Sequence, residues 1–475
     1  MSPENAGFRR LGTGFFSGRR RQRKQWQLSP AQLSALGFIA LIILGTFLLA
    51  LPWSTQGERS QSLGRHLLTT LFEATSAVCV TGLSVVNIKA HYSLFGQLIL
   101  MLLIQIGGLG YMTLYSLMLL AVGRQLSLRD RLAMQKVLDL PGSGGVRAFI
   151  LRILRMTLII EAVGAVLLAF AWVPVHGLAR GVYYAVFHSI SAFNNAGFAL
   201  FDDSLMADQT HPVVLPVIAL LLILGGLGYP VLSELLKQMR QHPLQLHWQE
   251  LSLHSKVSLG ATGSLLLFGF ISYLMLEFSR PGTLGSFSLG GKLLSAAFMS
   301  ATTRTAGFNA LNIAALSVPA IFITLSLMLV GANSGGTGGG VKTTTLVVIL
   351  NKVWAILRGH HNPSLMKRRI NPLTEDKAWA TLLLSVLWIN AITCWLTLTE
   401  PGADFLSVLF EVISAFATVG LSMGLTANLS TSGQSAIIVT MFVGRVGILT
   451  LGMALWARQQ HKSLIKYAEE SLMVG

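Results

Sequence analysis

Long apolar runs without charge alternate with short polar connections along the whole chain. Residues 92–123, 257–276, 311–341, 378–399 and 412–444 contain no Asp, Glu, Lys or Arg. A bilayer-spanning helix needs about 20 apolar residues, and several of these runs exceed that. The pattern predicts a first span at 31–52, 156–175, 257–278 and 378–399. A short helical piece follows each, at 66–78, 181–193, 290–302 and 404–416, too short to cross a bilayer. A second span then follows at 92–122, 212–236, 316–350 and 434–457. The fold class expected is an all-α polytopic membrane protein. Four tandem helix–pore loop–helix repeats, with eight spanning helices, stand in pseudo-fourfold arrangement around one central pore.

The repeats share a signature at the end of each short piece. It reads Thr75-Ser-Ala-Val-Cys-Val-Thr-Gly-Leu83, Ile190-Ser-Ala-Phe-Asn-Asn-Ala-Gly-Phe198, Ser300-Ala-Thr-Thr-Arg-Thr-Ala-Gly-Phe308 and Ile413-Ser-Ala-Phe-Ala-Thr-Val-Gly-Leu421. The glycines Gly82, Gly197, Gly307 and Gly420 are spaced by 115, 110 and 113 residues. One Ala-x-Gly-Phe would be a tight turn; four in register, each after a non-spanning helix, describe a repeated device. The chain divides into a basic arm at 1–28, repeat one at 29–123, repeat two at 124–240, repeat three at 241–358 and repeat four with a C-terminal tail at 359–475.

Composition agrees with lipid as the solvent: 52% of residues are apolar and 11% charged, against roughly 25% charged in soluble chains. The net charge of +16 would suggest nucleic acid in a soluble protein. Its distribution instead sets orientation. The arm, the connections 123–147, 237–256 and 351–372 and the tail hold 23 of 35 Lys and Arg. The opposite connections hold only Arg59, Arg65, Lys89, Arg180, Arg280 and Lys292. The basic side is cytoplasmic, so both termini lie inside, the loops enter from outside, and no nucleic-acid partner is expected. Membrane lipid is the expected surrounding, and anionic headgroups or a docked protein would suit the basic segments 124–147 and 352–369. Two cysteines, Cys79 and Cys394, suggest no disulfide framework or zinc site.

Irregular backbone at membrane depth survives where it is buried or lines a watery path. Four such loops on one axis would offer carbonyls in place of an ion's hydration shell. Gly331 to Gly340 holds six glycines, each costing about 1 kcal/mol of helix propensity, so the second helix of repeat three must break there. The break is no phosphate loop, because Val341 separates Gly340 from Lys342. Arg445 sits near the middle of the last span, where a charge is functional by default. Glu73, Glu161, Glu277 and Glu411 are acids at or near membrane level; structural pairing is expected of them, with Arg152 and Arg155 as partners for Glu161. Asp202, Asp203 and Asp208 follow the second loop on the outer side, where they either concentrate cations or form a solvated loop.

These features resemble the Trk/Ktr/HKT superfamily of potassium transporters, closest to its KtrB-type membrane subunits, relatives of TrkH. The resemblance spans about residue 30 to the C-terminus. It includes Leu103-Ile-Gln-Ile-Gly-Gly-Leu-Gly-Tyr111, Gly225-Gly-Leu-Gly-Tyr-Pro230, Gly331-Ala-Asn-Ser-Gly-Gly-Thr-Gly-Gly-Gly-Val-Lys-Thr-Thr-Thr345 and Gly444-Arg-Val-Gly447. The chain departs from the KtrB-type pattern at Ser334 and Gly338, where Pro and Ala are usual. The resemblance implies K⁺ held at filter carbonyls of Val80, Thr81, Gly82 and Leu83, of Asn195, Ala196, Gly197 and Phe198, of Thr305, Ala306, Gly307 and Phe308, and of Thr418, Val419, Gly420 and Leu421. Gly82 in the first loop goes with K⁺ in this superfamily, where Ser goes with Na⁺.

It further implies an intramembrane gating loop at 331–345, with Asn333, Gly335, Gly336, Gly338, Gly339, Gly340 and Lys342, and Arg445 beside it. No cofactor is expected in the chain itself, and no catalytic residue. K⁺ is the transported ion and Na⁺ a candidate coupling ion for symport. The implied partners are a second copy, giving a homodimer, and a cytoplasmic RCK-type ring of KtrA/TrkA-like subunits that carries the regulatory nucleotide. The expected location is the cell inner membrane. Two other functions stand beside K⁺ uptake. A potassium-conducting subunit of a P-type ATPase complex would bring extra helices and longer loops, and a polytopic enzyme would bring a catalytic motif; neither is present.

Overall fold

The computed structural model describes residues 30–56, 62–110, 146–241, 247–359 and 363–456. The basic arm at 1–28, residues 111–145 and the tail beyond 456 lie outside the described residues, and with them the basic charges counted there. Repeat one contains α1 (Pro30–Leu49), α2 (Leu63–Cys79), the short α3 (Ile88–His91) and α4 (Leu94–Gly108). Repeat two contains α5 (Val146–His176), α6 (Leu178–Phe193), α7 (Val214–Leu227) and α8 (Tyr229–Gln241). Repeat three contains α9 (Leu253–Glu277), α10 (Leu289–Thr302), α11 (Val318–Leu329) and α12 (Thr343–Leu357). A hairpin of β1 (Ser364–Leu365) and β2 (Arg368–Arg369) leads to α13 (Pro372–Thr399), α14 (Phe405–Ala417), α15 (Thr431–Val446) and α16 (Ile448–Trp456).

Burial sorts these helices into layers. The short helices α2, α6, α10 and α14 are central, and each buries at least one phenylalanine almost completely, among them Phe72, Phe187, Phe298 and Phe410. The long helices are outermost. Each leaves bulky apolar residues uncovered, among them Phe47, Phe170, Met275 and Leu398, at 64–79% exposure. Water would not tolerate such continuous apolar faces, whereas lipid does. Among the described residues, four single helices are long and apolar enough to cross a membrane: Gln32–Leu49, Leu151–His176, Leu253–Glu277 and Pro372–Thr399. Three of the four second helices begin on serine caps, and α7 begins after Val213 without one. Ser93, Ser317 and Ser430 accept from Gly96 N, Ala320 N and Gly433 N, satisfying N–H groups that a helix start leaves free.

One expectation needs correction. The second spans 212–236 and 434–457 are not continuous helices. α7 and α8 bend by 106° at Gly228, and α15 and α16 bend by 92° at Gly447. Both glycines have φ near +90°, which Cβ-bearing residues avoid. The apolar run continues through each bend, so hydropathy does not reveal it. Arg445 therefore stands two residues before a turn and not at the middle of a straight rod. The break expected in repeat three is present: residues 330–342 separate α11 from α12.

Candidate functional site

The four short helices end in the same backbone device. Two residues before each signature glycine the chain turns left-handed, at Val80 (φ 57°), Asn195 (57°), Thr305 (71°) and Thr418 (52°). The glycines are left-handed again: Gly82 (91°), Gly197 (70°), Gly307 (78°) and Gly420 (92°). The residues between them, Thr81, Ala196, Ala306 and Val419, keep ordinary φ. Alternating hands turn successive peptide units toward the same side. Left-handed Val and Thr are strained by about 1–3 kcal/mol each, and such strain persists only where surroundings enforce it. Enforcement comes from the helix ends. Thr81 N donates to Ser76 O at 2.8 Å, Ala196 N to Ser191 O at 2.7 Å, Gly307 N to Thr302 O at 3.3 Å and Val419 N to Ser414 O at 2.8 Å. The hydroxyls of the same four residues add a second tie. Ser76 and Ser414 accept from Gly82 N and Gly420 N, both at 3.1 Å, while Ser191 and Thr302 donate to Phe198 O and Phe308 O, both at 2.8 Å.

The glycines touch one another in order. A Cβ on Gly82 would strike Ala196 O and stand 3.1 Å from Gly197 Cα. One on Gly197 would stand 3.0 Å from Gly307 Cα, one on Gly307 3.0 Å from Gly420 Cα, and one on Gly420 3.0 Å from Gly82 Cα. The contacts run from loop one to two, three and four and back to one. The ring has no room for a side chain at any of its four glycines. The C-terminal ends of α2, α6, α10 and α14, which carry partial negative charge, all arrive at it. The bulky residues after the glycines, Leu83, Phe198, Phe308 and Leu421, are buried behind it at 0–2% exposure.

The glycine-rich stretch of repeat three lies against this ring. Its ends are stapled by a bridge between Val330 and Val341, with Gly331 N donating to Val341 O at 2.8 Å. Gly339 N donates to Thr418 Oγ1 at 2.9 Å, and a Cβ on Gly338 would strike Thr305 Oγ1. Gly340 packs on Ala417. The Asn195 amide and Thr337 Oγ1 are 2.6 Å apart. With the amide turned so that Nδ2 donates to Leu222 O, Thr337 donates to Oδ1. The stretch thus touches loops two, three and four. It is also tied to the bend in repeat two: Asn333 N donates to Gly226 O at 3.0 Å and Tyr229 N to Gly335 O at 3.2 Å. Within it, Gly336 N donates to Asn333 O at 3.0 Å, and Asn333 Nδ2 donates to Thr262 Oγ1 at 2.9 Å. Lys342 Nζ turns back to Gly338 O at 2.5 Å.

Arg445 closes the arrangement. Its Nη1 donates to Thr337 O in the stretch and its Nη2 to Gly107 O on α4, with the guanidinium 5.9 Å from the Phe38 ring centre. One side chain from repeat four therefore joins the stretch of repeat three to repeat one. The four glycine loops, the glycine-rich stretch and Arg445 are thus brought together.

Thr337 belongs with them and was not singled out, since a lone threonine among glycines carries no signal of its own. Gly107, Gly225 and Gly444 stand in the motifs that carry the resemblance, with no role assigned to them there. They let the second helices press directly on Val78 O, Phe193 O and Phe416 O of the short helices. Their recurrence at one position of the repeats was the available signal.

The pairing expected for Glu161 is corrected. Arg152 and Arg155 are exposed, and Glu161 accepts instead from Asn194 Nδ2 at 2.9 Å. Among the described residues, ion pairs join Arg280 to Glu277 and Lys352 to Glu375. Asp202 accepts from Asn87 Nδ2 at 2.7 Å and Asp208 from Trp172 Nε1 at 3.0 Å, so two of the three outer acids brace loops.

Comparison with known proteins matches nearly the whole chain. The family described as TrkH, cation transport protein, matches residues 33–463. The Ktr system potassium uptake protein B of Vibrio alginolyticus is 42% identical over 440 residues, 93% of this chain and 94% of that one. The potassium/sodium uptake protein NtpJ of Enterococcus hirae is 38% identical over 462 residues, 96% and 99% of the two chains. The crystal structure of the potassium transporter TrkH from Vibrio parahaemolyticus superposes with a TM-score of 0.69 at 18% identity, covering 92% of this chain and 86% of that one.

Proposed function

The chain belongs to the TrkH family of cation transport proteins, and from that membership we propose that it takes up K⁺ across the bacterial inner membrane through a filter built by its four glycine loops. The observation that carries the reading is the closed ring of Gly82, Gly197, Gly307 and Gly420 with its alternating backbone hands. In this reading the carbonyls around the ring replace the hydration shell of K⁺. The negative ends of the four short helices, acting as pore helices, stabilise the cation beside it. Relatives named for potassium uptake support K⁺ as the ion.

Gating follows from the stretch at 331–345. It presses on three of the four loops, and the Arg445 guanidinium adds a fixed positive charge on the same side. A cation leaving the filter meets both. Conduction requires the stretch to move and Arg445 to release Thr337 O. The stretch is tied to repeat two at Tyr229 and to repeat four at Thr418 and Arg445, so a push on α8 or α16 from the cytoplasm would reach it. A cytoplasmic RCK-type nucleotide-binding ring is the proposed source of that push, and a second copy of the chain completes the membrane unit. Na⁺ is the proposed coupling ion, in line with a relative named for potassium and sodium uptake.

The test is uptake of radioactive rubidium, a K⁺ surrogate, and of sodium into liposomes containing the purified chain. Rubidium uptake well above sodium, competed by unlabelled K⁺, is expected. Equal uptake of both ions, or none above empty liposomes, overturns the reading.

A further inference from the structure

Nine residues before Gly82 and Gly420 stand two carboxylates, Glu73 and Glu411, each on a short helix and each fully buried. Glu73 Oε1 accepts from Ser84 Oγ at 2.8 Å and from Val85 N at 2.9 Å. Glu411 Oε2 accepts from Ser422 Oγ at 2.9 Å, and its Oε1 accepts from Thr426 Oγ1. Ser84 and Ser422 both lie two residues past their glycine. Among the described residues neither carboxylate meets a cation.

The other two repeats solve the same problem differently. At this position repeat two has His188, whose Nε2 accepts from Leu200 N at 3.3 Å, and repeat three has Phe298, which cannot accept at all. There the two outgoing strands hold each other: Asn309 N donates to Ser204 Oγ at 3.1 Å and Leu205 N to Asn309 O at 3.0 Å. Loops one and four are neighbours in the ring. Their outgoing strands are tied back to their own helices by carboxylates, while those of loops two and three are tied across to one another.

Burying a carboxyl group is costly unless it is hydrogen-bonded. Each of these accepts from a serine hydroxyl on the strand leaving its glycine, and so fastens that strand to the short helix on which it stands.

We propose that Glu73 and Glu411 are positioning residues for ion selectivity: each fixes, from behind, the strand leaving its glycine, and so fixes how closely the carbonyls of loops one and four approach the ion. This rests on the four-loop filter proposed above.

The experiment compares the rubidium-to-sodium uptake ratio in liposomes for the full-length wild type and for Glu73→Leu, Glu411→Leu, Glu73→Gln, Glu411→Gln and Glu277→Leu, with thermal stability of each in detergent. Glu277 is the control. It is fully buried and accepts from Ser317 N at 2.9 Å and Thr283 Oγ1 at 2.6 Å, but it caps α11 away from the ring. The Leu variants of Glu73 and Glu411 are expected to lower the ratio roughly tenfold, equal to about 1.4 kcal/mol. The Gln variants, whose amide oxygen can accept the same bonds, are expected to recover most of it. Glu277→Leu is expected to lose stability at an unchanged ratio. A folded Leu variant with the wild-type ratio overturns the proposal, as does a Glu277→Leu shift of equal size. Where the Leu variants do not fold, Ser84→Ala and Ser422→Ala, which remove the donors to the two carboxyl groups, take their place, and an unchanged ratio in these folded variants overturns it. A wild type without selectivity would unseat the filter reading, and that outcome is separate because the wild type is measured first.

Discussion

Arg445→Gln asks how firmly the glycine-rich stretch is held. The guanidinium makes two hydrogen bonds to backbone carbonyls, Thr337 O and Gly107 O. A bond from a charged donor contributes about 1.5–3 kcal/mol net, so the pair contributes roughly 3 kcal/mol at the low end of that range. Gln can reach one of the carbonyls with a neutral bond of about 1 kcal/mol. The net loss of about 2 kcal/mol multiplies the population with a displaced stretch by about 30, since each 1.4 kcal/mol is tenfold. If that population is about 1% in the wild type, it rises to roughly a quarter. Removing a fixed charge where low-dielectric walls limit screening lowers the electrostatic barrier as well, so both effects raise flux. The assay is rubidium flux per protein in liposomes, paired with thermal stability in detergent. Flux raised at least tenfold with a modest loss of stability is expected. Stability lost while flux stays level or falls would refute the latch and leave Arg445 as a helix anchor.

Gly82→Ser should lower the rubidium-to-sodium uptake ratio by about tenfold or more, because its Cβ would strike Ala196 O at a φ of 91°; an unchanged ratio in well-folded protein would contradict the ring geometry. Deleting Ser334–Gly339 should raise rubidium flux, since the Val330–Val341 bridge still holds the stretch's two ends together; flux at the wild-type level from a folded deletion would remove the gate. Gly447→Ala should lower the melting temperature in detergent, by an amount corresponding to about 1–3 kcal/mol of backbone strain; an unaltered melting temperature would mean that the bend between α15 and α16 does not need glycine.

What the sequence made legible was what repeats. Four glycines at near-equal spacing located the ring, and apolar runs of two lengths separated the outer helices from the central ones. Six glycines within ten residues announced the break after α11, because helix propensity falls too far there for tertiary packing to rescue. The bends at Gly228 and Gly447 stayed hidden because Leu227, Tyr229, Val446 and Ile448 keep the hydropathy unbroken across them. The partners of Glu73 and Glu411 were equally opaque. Local logic looks for an arginine near a buried acid, and the chain supplies a serine eleven residues on, brought back by a loop whose path the sequence does not spell out. Thr337 was invisible for the same reason: its hydroxyl meets Asn195 and its carbonyl meets Arg445, each more than a hundred residues away along the chain.

The ring of four loops is written into one polypeptide, and this changes how its chemistry can be altered by inheritance. In an assembly of four identical subunits a single codon change appears four times. A perturbation of about 1 kcal/mol per copy, a factor of about five, then compounds to several hundredfold. Here the same change touches one quadrant and stays at about fivefold. Each quarter can drift, specialise or be repaired alone, and the two carboxylate-braced quarters already differ from the two that lean on each other. If the ring is the proposed filter, small adjustments to its ion preference are open to this chain in steps that a fourfold-symmetric channel cannot take.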